Sequence, residues 1–113
     1  MGYRSDVGLV LSPEGYKKFQ ELENNKEIIE EFFDSADEHK EKNGAHYYQW
    51  ESIKWYFTYE EIGALETFLD DLDSYDYKFV RLGEDDGDIE IMGMYCDNFY
   101  LGYKKYLYSE EDE

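Results

Sequence analysis

The stretch from His46 to Asp73, HYYQWESIKWYFTYEEIGALETFLDDLD, constrains this chain more than any other. It starts as an aromatic strand and changes period into an amphipathic helix. In a straight strand, side chains two apart share a face. Tyr48 and Trp50 would then lie on one face, with Ile53 and Trp55 on the other. Something at Glu51-Ser52 has to absorb a residue, either a β-bulge or a tight hairpin turn. A hairpin gives the βαββαβ order of ferredoxin-like folds, whereas a bulge leaves one long, bent strand. The pair lacks the glycine or asparagine that two-residue hairpins favour, so a bulge is expected. Further on, Thr58 and Glu61 have the S/T-x-x-E spacing of a capping box. Ile62, Leu65, Phe68, Leu69 and Leu72 then recur at helical spacing.

The flanking segments supply partners for that unit. From Tyr3 to Ser12, Ser5, Val7, Leu9 and Leu11 alternate onto one face, and Val10 hints that the other face is partly covered. Ser12-Pro13 is a helix start, with serine as cap and proline at the first helical position. Tyr16, Phe19 and Leu22 form the stripe of a short helix. A second helical run is expected from about Lys26 to Lys42, with Ile28, Ile29, Phe32, Phe33 and Ala36 inward and Asn43-Gly44 closing it. Tyr77 to Leu82 and Asp88 to Met92 read as strands joined by the acidic loop GEDDG. Phe99 to Tyr108 reads as extended and aromatic.

A chain of 113 residues is too short to give two pieces a proper core each. One domain over 1–108 and an acidic C-terminal tail over 109–113 are expected. The fold class is α+β: an antiparallel or mixed sheet of four to five strands, with two helical regions packed on one face.

Charge narrows the partners. The chain holds 29 acidic and 11 basic residues, a formal charge of −18, yet 19% of it is aromatic. Disordered acidic chains are poor in aromatics, so a folded, strongly negative domain is expected. Such a surface repels nucleic acid and anionic membrane, so neither is expected as a direct partner, and it is drawn to basic protein surfaces. The plainer account is that the charge keeps the protein soluble. Cys96 is the only cysteine, which fits a reducing compartment. No basic-then-apolar leader and no run approaching ~20 apolar residues is present. A cytoplasmic location is expected.

Signatures of catalysis are thin. The acids Glu84, Asp85, Asp86, Asp88 and Glu90 lack the ligand order of an EF-hand loop, as do Asp71, Asp73 and Asp76. His39 and His46 stand seven apart across an expected helix end, as an exposed helix residue and an exposed strand-start residue. Cys96 has no base nearby in sequence, and neither a G-x-S-x-G turn nor a phosphate-cradling glycine loop occurs. No enzyme and no cofactor are expected. A metal-dependent enzyme would need acids converging in a pocket. Tyr16, Tyr48 and Tyr77 suit a small sheet's core, while Tyr100, Tyr103, Tyr106 and Tyr108 beside Lys104 and Lys105 suit a partner-binding or self-association edge.

The sharpest signal is a pair of acidic helix faces. Carboxylates at i and i+4 stand ~6 Å apart at 1.5 Å per residue, close to the phosphate spacing along a nucleic-acid strand. Rows on Glu27, Glu30, Glu31, Asp34 and Glu38, and on Glu66, Asp70 and Asp73, therefore suit the basic groove of a nucleic-acid-binding protein. Like charges at this spacing weaken a helix by a few tenths of a kcal/mol per pair. Acids in a last turn also oppose the helix dipole.

MGYRSDVGLVLS, WESIKWY and FVRLGEDDGDIE together resemble a set of small phage and prophage proteins. Those open with G-Y-R-S-D-V, carry a W-[DE]-S-x-K-W-Y core, and follow it with a helix and an acidic hairpin. The matching residues are Gly2 to Val7, Trp50 to Tyr56 and Arg81 to Glu90; FYLGYKKYLY lies outside the pattern. The resemblance implies a phage setting and an α+β fold, and assigns no functional residue. By analogy with phage inhibitors of host nucleases and defence proteins, anti-CRISPR proteins among them, the leading expectation is an inhibitor. It would occupy the basic surface of a host nuclease or other nucleic-acid-handling or defence protein in the host cytoplasm. The alternative is a phage structural or assembly protein that associates through its aromatic C-terminal strand around Tyr103 and Tyr106, with a homodimer as one form.

Overall fold

The computed structural model describes residues 2–56, 58–103 and 107–111, with only the backbone given for Tyr103, Tyr108, Glu110 and Glu111. Strand β1 (Ser5–Leu11) lies at the centre of a five-stranded sheet. Its neighbours are β3 (Ala45–Ile53) and β4 (Tyr77–Gly83), and the edges are β2 (Glu38–Lys42) and β5 (Ile89–Gly93). All four pairings are antiparallel. Helices α1 (Pro13–Gln20), α2 (Lys26–Asp34) and α3 (Glu60–Asp71) supply one face with its cover. The fold is α+β, as expected.

Alternation in β1 sets up two cores. Val7, Leu9 and Leu11 join Phe19, Ile29, Phe32, Phe33, Leu65, Phe68 and Leu69 on the helical side. Val10 turns the other way, to a cluster with Ala45, Tyr47, Val80, Leu82, Phe99, Leu101 and Leu107. The cover there is a hairpin of β6 (Phe99–Tyr103) and β7 (Leu107–Glu111). The aromatic segment thus folds back on itself. β7 takes in Ser109 to Glu111, assigned above to the acidic tail. Gly8 makes room for this layer: a Cβ there would stand 2.8 Å from Leu101 Cδ1.

The bulge forms where the aromatic spacing requires it. Ser5 pairs with Ile53 and Val7 with Trp50, so β3 uses one more residue than β1 between those rungs. Ser52 takes the strain at φ +51°. Its N–H donates to Asp6 Oδ1 at 2.9 Å, and its carbonyl accepts from Arg4 Nη1 at 2.8 Å. The extra residue returns Trp55 to the helical side, where it packs with Trp50 and Phe79.

Three local expectations are corrected. The second helix stops at Asp34, and Glu38 to Lys42 form edge strand β2 rather than helix. Asn43-Gly44 is therefore the turn of the β2–β3 hairpin, with both residues at positive φ, a conformation these two residue types tolerate best. At α3 the Thr58 capping box does not form. The Tyr59 N–H donates to the Tyr56 carbonyl at 2.9 Å, and this turn moves the cap to Tyr59, one residue too late for the box. By contrast, Ser12 caps α1 as expected, its Oγ accepting from the Gly15 N–H at 2.9 Å.

Candidate functional site

On α2 the buried side chains are Ile29, Phe32 and Phe33. At about 100° per residue, Glu27, Glu30, Glu31 and Asp34 fall within one arc directly opposite them, and all four are exposed. Among the described residues the ion pairs are Lys18–Asp76, Lys40–Glu38, Arg81–Asp88 and Arg81–Glu90, none of which involves this row. Local chemistry does little for the helix. Its N-cap, Asn25, sits in the left-handed region without a side-chain cap bond, and its last turn has no basic residue. Tertiary packing holds it instead. Phe32 stacks on Trp50 with ring centroids 4.5 Å apart, Phe33 on Tyr48 at 4.2 Å, and Trp50 Nε1 donates to the Phe32 carbonyl at 3.3 Å.

The other row residues separate. Glu38 leaves the helix for β2 and pairs with Lys40 at 3.0 Å. α3 turns Glu61, Ala64, Thr67, Phe68 and Asp71 towards the clefts beside α2. By the same helical periodicity Glu66 and Asp70 lie on the far side, so the acids of α2 and α3 do not form one continuous face. Glu66 is half-buried and accepts from Trp55 Nε1 at 3.1 Å. Burial, above all, holds its carboxyl above the ordinary glutamate value. Asp70 is exposed, and its charge joins burial in raising the Tyr77 hydroxyl. Asp73 is exposed and accepts the Tyr75 N–H at 2.9 Å, capping the short 3-10 turn Ser74–Asp76. Tyr106 and the side chain of Tyr103 lie outside the described residues.

A constellation that sequence reading missed lies at one end of the sheet. The three stretches that carry the phage-protein resemblance meet there. The Tyr3 N–H donates to the Tyr56 hydroxyl and the Tyr3 hydroxyl to Asp88 Oδ2, both at 2.7 Å. Arg81 holds Asp88 through both terminal nitrogens at 2.9 and 3.2 Å, Glu90 through Nε at 3.0 Å, and Ser5 Oγ at 3.0 Å. The Arg81 hydrogen bonds, followed by that of Tyr3, depress the Asp88 carboxyl below its ordinary value. Beside this network Arg4, Ser5, Asp6, Ser52, Lys54 and Glu84 line a cleft of about 450 Å³. Arg4, Ser5, Asp6, Ser52 and Glu84 are engaged there in joining β1, the bulge and the β4–β5 hairpin. The contacts between these segments join residues 46 to 85 positions apart, which no local pattern in the sequence announces.

The two histidines also come together. His39 lies on β2, not on a helix, and its Nε2 is 3.0 Å from His46 Nδ1 on β3. His46 is half-buried and stacks on Tyr16 at 3.6 Å, while His39 stacks on Tyr48 at 4.5 Å. Burial first, and His39 second, lower the His46 imidazole below its ordinary value. Among the described residues no group of three or more histidine, cysteine or carboxylate side chains converges to hold a metal ion. Among them, too, no helix is long and apolar enough to cross a membrane.

Fold and surface together define an acidic α+β domain with one helix face whose carboxylates have no ion-pair partner among the described residues. No protein-family model, curated protein or solved structure matches the chain.

Proposed function

We propose that this protein is a non-enzymatic binding protein whose α2 face docks on the basic surface of a nucleic-acid-handling or defence protein. In the phage setting that the resemblance implies, it acts as an inhibitor by standing in for a polyanion. The observation that carries this reading is the placement of Glu27, Glu30, Glu31 and Asp34 on one exposed face, opposite the packed side. Only Glu27, in the first turn, suits the helix dipole; folding gains nothing from Glu30, Glu31 and Asp34. The row weakens the helix through like-charge spacing and through acids near the C-terminal end of the dipole. A cationic receptor reverses both terms and gains the release of counterions. Glu38, Glu66 and Asp73 fall outside this surface, because each is paired, partly buried or engaged as a cap.

Assembly through the C-terminal strand has less behind it. The β6–β7 hairpin buries Phe99, Leu101 and Leu107 within its own chain. Tyr100 is the exposed large side chain of the described hairpin.

The test is capture of host proteins on the immobilised chain at about 50 and 200 mM salt, with duplex DNA as competitor. The bound protein should be a DNA- or RNA-binding one, fall away at the higher salt, and be displaced by DNA. Replacing Glu27, Glu30, Glu31 and Asp34 together by lysine should abolish capture. Capture that persists through both treatments would sink the reading.

A further inference from the structure

The two edges of the main sheet are built differently. An edge strand presents unpaired backbone groups, and proteins blunt it with charge. β2 does so: its five residues are Glu38, His39, Lys40, Glu41 and Lys42. β5 does not. Ile89 and Ile91 are each 42% exposed, at the alternate positions that share a face. They pair with Leu82 and Val80, so they lie on the hairpin side of the sheet. The apolar cluster under β6–β7 includes Val80 and Leu82 but neither isoleucine, so the cover stops one strand short of the edge.

The backbone of β5 is equally open. The Gly83 N–H donates to the Asp88 carbonyl at 2.8 Å. Antiparallel rungs alternate in which residues bond across the pair, so Glu90 and Met92 turn their backbone groups to β4, and Ile89 and Ile91 turn theirs outward. The Ile89 N–H is used by the Gly87 carbonyl. The Ile89 carbonyl and both backbone groups of Ile91 remain at the edge. Among the described residues β5 pairs with no strand but β4.

We infer that β5 accepts an extended segment of another protein as a sixth strand, by β-augmentation. That segment carries apolar side chains at alternate positions, to cover Ile89 and Ile91, and lysine or arginine near the Ile89 end. The charge follows from the exposed Glu84, Asp85 and Asp86 in the loop that leads into β5. Arg4 and Lys54 face Glu84 across the neighbouring cleft, but Arg81 is occupied by Asp88 and Glu90 and Lys78 lies at the opposite end, across from Gly93, so Asp85 and Asp86 keep their charge beside Ile89. A second copy of this chain is the poorer occupant, because each copy carries −18 and the same acidic loop. The surface is separate from the α2 face, which lies on the other side of the sheet, and does not rest on its role.

The probe is a peptide of about ten residues alternating valine and lysine, matched by one of equal charge that is N-methylated at every second residue. Affinity is read by fluorescence anisotropy, and strand pairing by hydrogen exchange of the Ile91 amide. The unmodified peptide should slow that exchange. Loss of two or so backbone hydrogen bonds in the N-methylated peptide should weaken binding about tenfold or more. Ile91→Lys, a change at a partly exposed position, should do the same. Equal binding by the N-methylated peptide would reduce the contact to charge attraction and overturn the inference. So would an Ile91 amide whose exchange the peptide leaves unchanged, or a free protein that sediments as a dimer with that amide already protected.

Discussion

Two acidic regions of this molecule stand in contrast, the outer face of α2 and the segment from Glu84 to Glu90. In the second, three of the five carboxylates are structural parts, and Asp85 and Asp86 stay exposed at the loop tip. Asp88 receives Arg81 and Tyr3, Glu90 receives Arg81, and Glu84 accepts the backbone N–H of Arg4. In the first, Glu27, Glu30, Glu31 and Asp34 meet no ion-pair partner among the described residues and repel one another along the helix, with Glu31 and Asp34 also opposing its dipole. Equal density of acid in sequence therefore hides opposite physical meanings. One set of charges is bonded into the fold. The other is carried by the fold, at a cost in stability.

Experiments can break that contrast, and the largest effect should come from the packing that lets α2 exist. Phe32→Ala removes the ring stacked on Trp50 and should cost about 3–5 kcal/mol in urea denaturation. A loss under 1 kcal/mol would show that α2 does not depend on its aromatic anchors. Next comes Arg81→Met, which leaves Ser5, Asp88 and Glu90 without their shared donor. Hydrogen bonds to charged groups bring ~1.5–3 kcal/mol each. The carboxylates are partly exposed, so the total should be discounted to roughly 2 kcal/mol. Binding through α2 should be untouched by this change, provided it is measured where the variant is folded.

Charge reversal sharpens the comparison by its sign. Glu31→Lys with Asp34→Lys should stabilise the protein by a few tenths to ~1 kcal/mol, because both changes favour the dipole and relieve repulsion. Glu90→Lys should destabilise it, because a cation would then face Arg81. If both variants move the denaturation midpoint the same way, the two regions are not different in kind.

The smallest effects are those of pH. His46 has a folded pKa below its unfolded value near 6.5, so its contribution is complete above that value. Stability falls as pH drops below it, because the unfolded chain takes up the proton first. Melting curves at about pH 7.5 and 5.5 should differ less for His46→Gln than for the unaltered protein. Asp88 behaves in the usual carboxylate sense. Its stabilisation is present above 3.8 and is lost as pH falls through the depressed folded value, and Arg81→Met should shrink that low-pH loss to the part the Tyr3 hydroxyl maintains.

Several elements could be read before any coordinates. β1 announces itself by alternation, α1 by Ser12-Pro13, and the bulge by the break in spacing between Trp50 and Trp55. These signals are local, set by side chains within a few residues of each other. β2 could not be read, because an edge strand that buries nothing leaves no apolar pattern, and EHKEK serves a polar helix face equally well. Asn43-Gly44 gave no help, since the same pair suits a helix end and a hairpin turn. The acidic row was legible only as far as the helix lasts, which is why Glu38 was misplaced and Asp34 was not.

Sequence alone determined the α+β class, the strongly negative surface, and the face of α2 on which four carboxylates align, since all three follow from composition and short-range period. Tertiary structure decided that the aromatic C-terminal segment covers the second side of the sheet, that Glu66 is tied to Trp55, and that the Tyr3, Ser52 and Arg81 segments meet. Those contacts join residues as much as 85 positions apart, Tyr3 to Asp88 being the longest of them. Hydrophobic burial rewards covering any exposed apolar face and does not specify which distant segment covers it. That choice is settled by shape and hydrogen bonding once the chain has closed on itself.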